Sequence, residues 1–100
     1  MSGRPAMSEK QLQAAVLQLA RLCHWRCYHS WLSIKSEPGF PDLVLVRAGR
    51  CLVLELKSAT GKLSPAQQEW LGALGAVPGV TCAVIRPVDW TEGRVERMLV

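Results

Sequence analysis

The sequence contains no apolar run approaching the ~20 residues that a helix needs to cross a bilayer, and no signal peptide. Its four cysteines, Cys23, Cys27, Cys51 and Cys82, show no C-x-x-C spacing. These absences argue against a membrane-bound protein and against a disulfide framework formed in an oxidising compartment. We therefore expect a reduced, cytoplasmic protein without a membrane partner.

A zinc site is a weaker possibility in the segment that holds Cys23, His24, Cys27 and His29. Thiolate and imidazole are good zinc ligands, but the usual second ligand pair at a knuckle-like spacing is missing. Zinc is therefore the less favoured interpretation of this segment.

The chain also lacks internal repeats, low-complexity tracts and linkers, and its 100 residues suit one compact core. We expect residues 8–100 to form a single domain after a flexible lead-in, residues 1–7, which contains Gly3 and Pro5. The composition, 49% hydrophobic and 20% charged, is that of a folded protein. A net charge of +4 gives weak support for a polyanionic partner such as nucleic acid.

Hydrophobic periodicity predicts a first helix over residues 8–23, because apolar residues recur there at spacings of three and four. Ser8 and Gln11 have the spacing of a capping box. Glu9 lies three residues before Leu12, on the stripe that should face the core. This is an unusual place for a solvated carboxylate.

The remaining chain predicts an α/β fold, a mixed β-sheet flanked by helices in the order αβββαβα. Strands are expected over residues 25–31, 42–46, 51–57 and 81–86, a loop over 33–41, and helices over 64–75 and from Asp89 toward Leu99. Gly93 weakens the last helix. The second and third strands should form a hairpin, whereas the third and fourth, joined through a helix, should be parallel.

A hairpin turn over Ala48 and Gly49 would place Asp42 directly opposite Glu55, at a Cβ distance of about 5 Å. The two carboxylates would repel each other unless a cation lay nearby. Lys57 lies two residues after Glu55 and shares its face of the strand. A three-residue loop would instead pair Asp42 with Leu56, and Ala48 is not ideal for this kind of turn.

These three charged residues suit phosphodiester hydrolysis. Carboxylate oxygens favour Mg²⁺ or Mn²⁺, and an ammonium can orient the attacking water or neutralise charge in the transition state. The alternative is that Asp42 merely begins a strand, while Glu55 and Lys57 form an ion pair that contributes little.

Three motifs then resemble the VRR-NUC family, the virus-type replication-repair nucleases of the PD-(D/E)xK superfamily. They are residues 39–46 (GFPDLVLV), 54–57 (LELK) and 61–70 (GKLSPAQQEW), and the resemblance covers roughly residues 8–87. It implies the restriction-endonuclease-like core. Motifs in this order are more specific than the spacing of Asp42, Glu55 and Lys57 alone.

The resemblance also implies roles for individual residues. Asp42 and Glu55 would bind Mg²⁺ or Mn²⁺ together with the backbone carbonyl of Leu56, and Lys57 would assist the attacking water. Glu9 and Gln67 match the family's first-helix acid and helix glutamine and would support catalysis. The alternatives are that Glu9 is a carboxylate favoured by a helix N-terminus and that Gln67 is a capping partner of Ser64.

Several further residues are candidates for minor roles. His29 is expected in a supporting hydrogen bond, and Trp70 in the core rather than in a platform that stacks on bases. Phosphate contacts are expected from positive side chains in loops and turns, namely Lys35, Arg47, Arg50 and Lys62.

The resemblance implies a homodimeric, metal-dependent, structure-selective DNA endonuclease that cuts branched DNA such as Holliday junctions in DNA repair. It would need no organic cofactor and would act in a bacterial or virus-infected cell. The alternatives are a non-catalytic nucleic-acid-binding module and a subunit of a larger repair complex.

Overall fold

A computed structural model describes residues 7–30 and 37–100, and these residues form four helices and four strands. In chain order they are α1 (Glu9–Leu22), β1 (Arg26–His29), β2 (Leu43–Arg47), β3 (Arg50–Leu56), α2 (Pro65–Gly75), β4 (Val80–Ile85), α3 (Pro87–Thr91) and α4 (Arg94–Leu99). The α/β class is confirmed. The prediction of a single final helix is wrong. Gly93 adopts a left-handed conformation, φ +81°, and divides this segment into α3 and α4.

Helix α1 begins and ends where its sequence signals predict. Ser8 Oγ accepts a hydrogen bond from Gln11 N at 3.1 Å, and Ser8 N donates to Gln11 Oε1 at 2.9 Å, which completes the capping box. Residues 1–6 of the expected lead-in lie outside the described residues. Met7 packs against the core, so the lead-in does not extend to it.

The sheet has the order β1-β2-β3-β4. The first two pairs are antiparallel and the β3–β4 pair is parallel, as the helix between these strands predicts. In the hairpin, Arg47 lies opposite Arg50, and the turn residues Ala48 and Gly49 have φ of +48° and +79°. These positive values are typical of a two-residue type I′ turn, so the three-residue alternative is wrong.

The core lies between one face of the sheet and the helices at both ends of the chain. Its buried side chains are mostly aliphatic, among them Leu12, Val16, Leu43, Leu45, Leu52, Leu54, Leu56, Ile85, Val95 and Leu99. Helix α2 lies on the opposite face, where Gly75 approaches Cys82. That face also carries Glu55, because Glu55 and Val53, the strand partner of Cys82, are two residues apart on β3.

Within the described residues, no helix is both long and apolar enough to span a membrane. The four cysteines are all free thiols. Their burial is intermediate, and burial raises the pKa of the Cys27 and Cys82 thiols.

Candidate active site

Two carboxylates meet where the β2–β3 hairpin is farthest from its turn. The register pairs Leu43 with Leu54, and one further step places Asp42 opposite Glu55. Asp42 Oδ2 accepts a hydrogen bond of 2.8 Å from the backbone amide of Leu56. This bond fixes the Asp42 side chain against β3, beside Glu55.

Glu55 is only 3% exposed and is the one charged side chain in the buried set of the described residues. Its Oε2 accepts a hydrogen bond from Gln67 Nε2 at 3.2 Å. Its Oε1 is buried and has no hydrogen-bond partner among residues 7–30 and 37–100. A buried carboxylate oxygen without a partner is costly, and it marks the point at which a ligand would be bound.

The surroundings of Glu55 raise its pKa from 4.5 to about 8. The largest cause is burial, followed by the negative charge of the neighbouring Asp42 carboxylate. Glu9 also raises the pKa, while the positive charge of Lys57 lowers it. The surroundings of Glu55 therefore disfavour its negative charge.

Lys57 lies just beyond the end of β3, on the face of Glu55. Its backbone amide donates to Ile85 O at 2.9 Å, and its side chain is half-buried. The single ion pair in the described part of the chain joins Arg94 to Asp89. The alternative interpretation of the sequence was an ion pair between Glu55 and Lys57 in place of an active site. The structure does not contain this ion pair.

Gln67 is the capping partner of Ser64, as predicted, and it also contacts Glu55. Its Oε1 accepts from Ser64 N at 2.9 Å in the capping box of α2, while its Nε2 donates to Glu55. The expectation that Glu9 faces the core is wrong, because its side chain is exposed in the first turn of α1. Glu9 is nevertheless near enough for its charge to act on Glu55.

The four candidate phosphate contacts lie in different places. Lys35 is outside the described residues. Arg47 and Arg50 lie at the turn end of the hairpin, about 17 Å from Asp42 by strand length, so the structure does not bring them to the site. Lys62 is exposed in the loop that leads into α2.

Arg47 has a structural role instead. Its guanidinium donates to Cys23 O and Leu99 O, both at 2.9 Å, and lies 4.4 Å from the centre of the Trp25 ring. Arg50 lies 5.3 Å from the same ring. These contacts join the turn end of the hairpin to the end of α1 and to the C-terminal helix.

The prediction that Trp70 lies in the core is wrong. Trp70 is half-buried, and its ring meets the edge of Phe40 at a centroid distance of 5.1 Å and an interplanar angle of 77°. No residue of helix α2 is fully buried, although the helix packs against β4.

Neither the segment from Cys23 to His29 nor the Asp42–Glu55 pair offers three side chains that could ligate a metal ion. Among residues 7–30 and 37–100, no group of three or more His, Cys, Asp or Glu side chains is arranged to hold a metal ion. This applies to the segment with Cys23, Cys27 and His29, where the His29 ring is hydrogen-bonded to Gln13 at 2.7 Å. It leaves Asp42 and Glu55 as a two-carboxylate pair, the number with which Mg²⁺ is commonly held in proteins.

Arg86 belongs to the site region and was missed in the sequence. It follows β4, and its Nη1 donates to Ser58 O at 2.8 Å and to Gly61 O at 2.7 Å. Ser58 Oγ in turn accepts from Gly61 N at 2.9 Å. Arg86 therefore holds the loop that directly follows Lys57, and only the fold, which places the ends of β3 and β4 side by side, reveals it.

Replacing Arg86 with alanine is expected to destabilise the fold by about 1–3 kcal/mol, because two carbonyls lose a charged donor. Amide hydrogen exchange over residues 58–62 should accelerate in the same variant. Arg97→Ala removes one exposed bond of 3.2 Å to Glu92 O and is the matched control, with little effect on either measurement. Unchanged exchange in the loop would contradict this role of Arg86.

Comparisons with known proteins identify the family and the fold. A family model for the VRR-NUC domain matches residues 5–88. A solved structure described as a VRR_NUC domain protein is similar, with a TM-score of 0.67 and 19% identity over 92% of this chain and 88% of the other. No match was found among curated proteins. At this identity the structural likeness shows a shared fold.

Proposed function

Because the chain belongs to the VRR-NUC domain family and has its nuclease-type fold, we propose that it is a Mg²⁺- or Mn²⁺-dependent DNA endonuclease. The observation that carries the proposal is the buried Glu55, whose Oε1 lacks a partner while Asp42 lies beside it. A carboxylate kept there without a cationic ligand would only destabilise the fold.

The residues present fit a hard divalent cation. Asp42 and Glu55 would hold it through carboxylate oxygens, and the carbonyl of Leu56 would join them, from the residue whose amide already binds Asp42. When bound, the cation would supply Lewis-acid polarisation of the scissile phosphate.

The surrounding side chains divide the remaining work. Gln67 holds Glu55 Oε2 and so directs Oε1 away from α2. Lys57 has three N–H donors and no acceptor, so it would orient the attacking water and neutralise charge on the phosphate oxygens. Glu9, exposed at the rim, would complete the acidic side of the site.

Branched DNA and a homodimer are part of the proposal. Two sites in one dimer would cut two strands of a Holliday junction, an action in DNA repair. Tyr28 and Val46, 61% and 46% exposed, lie with Val44 on the same face of β1 and β2 and would supply apolar surface for association. Sedimentation at micromolar concentration tests this, and a monomer would rule out paired cutting.

The test of the activity is cleavage of an end-labelled four-way junction by the purified chain. Flapped and fully paired linear DNA serve as comparison substrates, each in Mg²⁺, in Mn²⁺ and in EDTA. We expect metal-dependent cutting of branched DNA, faster than that of the linear duplex. No cutting, with junction binding retained, would show a non-catalytic nucleic-acid-binding module instead.

A further inference from the structure

The exposed aromatic ring of Phe40 lies beside the candidate active site, and the proposed mechanism gives it no role. Phe40 is 36% exposed, although it contacts Trp70 edge-to-face. It is two residues before Asp42, so its backbone lies within about 7 Å of the backbone of that carboxylate. An apolar ring in this position is close to where a phosphate would bind.

The backbone that carries Phe40 is held tightly. Gly39 has φ of +86°, and a Cβ there would lie 2.5 Å from the backbone carbon of Ala66 on α2. A side chain at residue 39 would therefore force the loop away from the helix. On the other side of Phe40, Pro41 is fully buried. The ring is thus presented from a rigid segment.

Helix α2 places Trp70 and the active site in one row. Gln67, which binds Glu55, precedes Trp70 by three residues, so their side chains are neighbours on the helix surface. Phe40 contacts Trp70, which lies about one helical turn from Gln67 and its contact with Glu55. A nucleotide with its phosphate at Asp42 and Glu55 would bring a base close to Phe40.

We propose that Phe40, supported by Trp70, stacks on an unpaired base next to the scissile phosphate. The inference rests on the proposed nuclease function and names the feature that this site recognises in branched DNA. A base inside a duplex has both faces stacked on its neighbours, so Phe40 makes the site selective for unpaired nucleotides that have left the stack. The positive charges of Lys57 and Lys62 nearby favour the DNA backbone on this surface.

The binding test uses a DNA flap with 2-aminopurine, a base whose fluorescence falls on stacking, as the unpaired base next to the expected cleavage position. It is carried out with Ca²⁺ in place of Mg²⁺, so that a cation holds the phosphate at the two carboxylates while cleavage is slow. Wild type is compared with Phe40→Leu, which keeps an apolar contact with Trp70 but has no ring, and with Phe40→Tyr, which restores a ring. Val88→Ala on α3 removes another exposed apolar side chain, 52% exposed, and is the control.

We expect quenching with wild type, Phe40→Tyr and Val88→Ala, and its loss with Phe40→Leu. Affinity for the flap should fall about 5- to 100-fold in Phe40→Leu, whereas affinity for fully paired duplex should not change. Thermal unfolding of each variant separates this effect from loss of structure.

Equal quenching and equal flap affinity in Phe40→Leu and wild type would overturn the inference, as would a parallel loss of duplex affinity. Neither result would bear on catalysis, which is decided by metal-dependent cutting. Quenching by a wild type that cuts nothing would uphold the stacking role and overturn the nuclease.

Discussion

Lys57→Ala is expected to lower the single-turnover rate of branched-DNA cleavage by about 10²- to 10⁴-fold. The half-buried Lys57 lies on the face of Glu55, and in the proposed mechanism its ammonium orients water and offsets charge on the phosphate. Its removal should act on the chemical step, so the rate at saturating DNA should fall much more than the affinity. Rapid-quench cleavage and equilibrium binding measure the two quantities.

Arg97→Ala is the control for this variant, because it removes a positive charge from α4, where no candidate site residue lies. It should cut at the wild-type rate. If Lys57→Ala lost affinity and rate in equal proportion, Lys57 would be a phosphate contact. If it cut as fast as wild type, Lys57 would have no part in the chemistry.

Glu55→Gln is expected to abolish metal-dependent cleavage and, in the same protein, to raise the stability of the metal-free fold at alkaline pH. Folding raises the pKa of Glu55 from 4.5 to about 8. The stabilising contribution of the protonated group is therefore complete below pH 4.5 and is lost as the pH rises toward 8. Glutamine carries no charge and avoids this loss, which is on the order of a few kcal/mol at most.

Thermal unfolding in EDTA between pH 5 and 9 measures this difference. The wild type should lose stability across this range relative to Glu55→Gln. Mg²⁺ should raise the melting temperature of the wild type but not that of Glu55→Gln. Glu69→Gln, an exposed change on α2, should behave as wild type. Parallel stability curves for wild type and Glu55→Gln would show that burial does not raise the pKa of Glu55.

The part of the site that could be predicted from the sequence depends on local geometry. Strand alternation places Glu55 and Lys57 on one face, and a two-residue turn at Ala48 and Gly49 sets the pairing of the hairpin. The capping boxes at Ser8 and Ser64 fix the starts of two helices. Each of these rules acts over a few residues and is therefore visible in the sequence.

The remaining features depend on contacts between distant segments. Arg86 approaches residues 58–61 only because β3 and β4 are parallel neighbours. Arg47 is bound to carbonyls at Cys23 and Leu99, which no spacing in the sequence connects to it. Glu9 occupies a core-facing position in the helical pattern, but α1 begins at this residue, so the position lies at the rim of the packed region.

The same distance that removes Arg47 and Arg50 from catalysis makes the hairpin turn a place to attach a reporter. Ala48 is exposed and already carries a side chain at φ +48°, so a residue that bears a label can replace it with no new demand on the backbone. A dye joined there would sit about 17 Å along the strands from Asp42, a separation suited to energy transfer from a labelled DNA strand. A label at the hairpin turn would therefore report the binding of a substrate without altering the residues that would act on it.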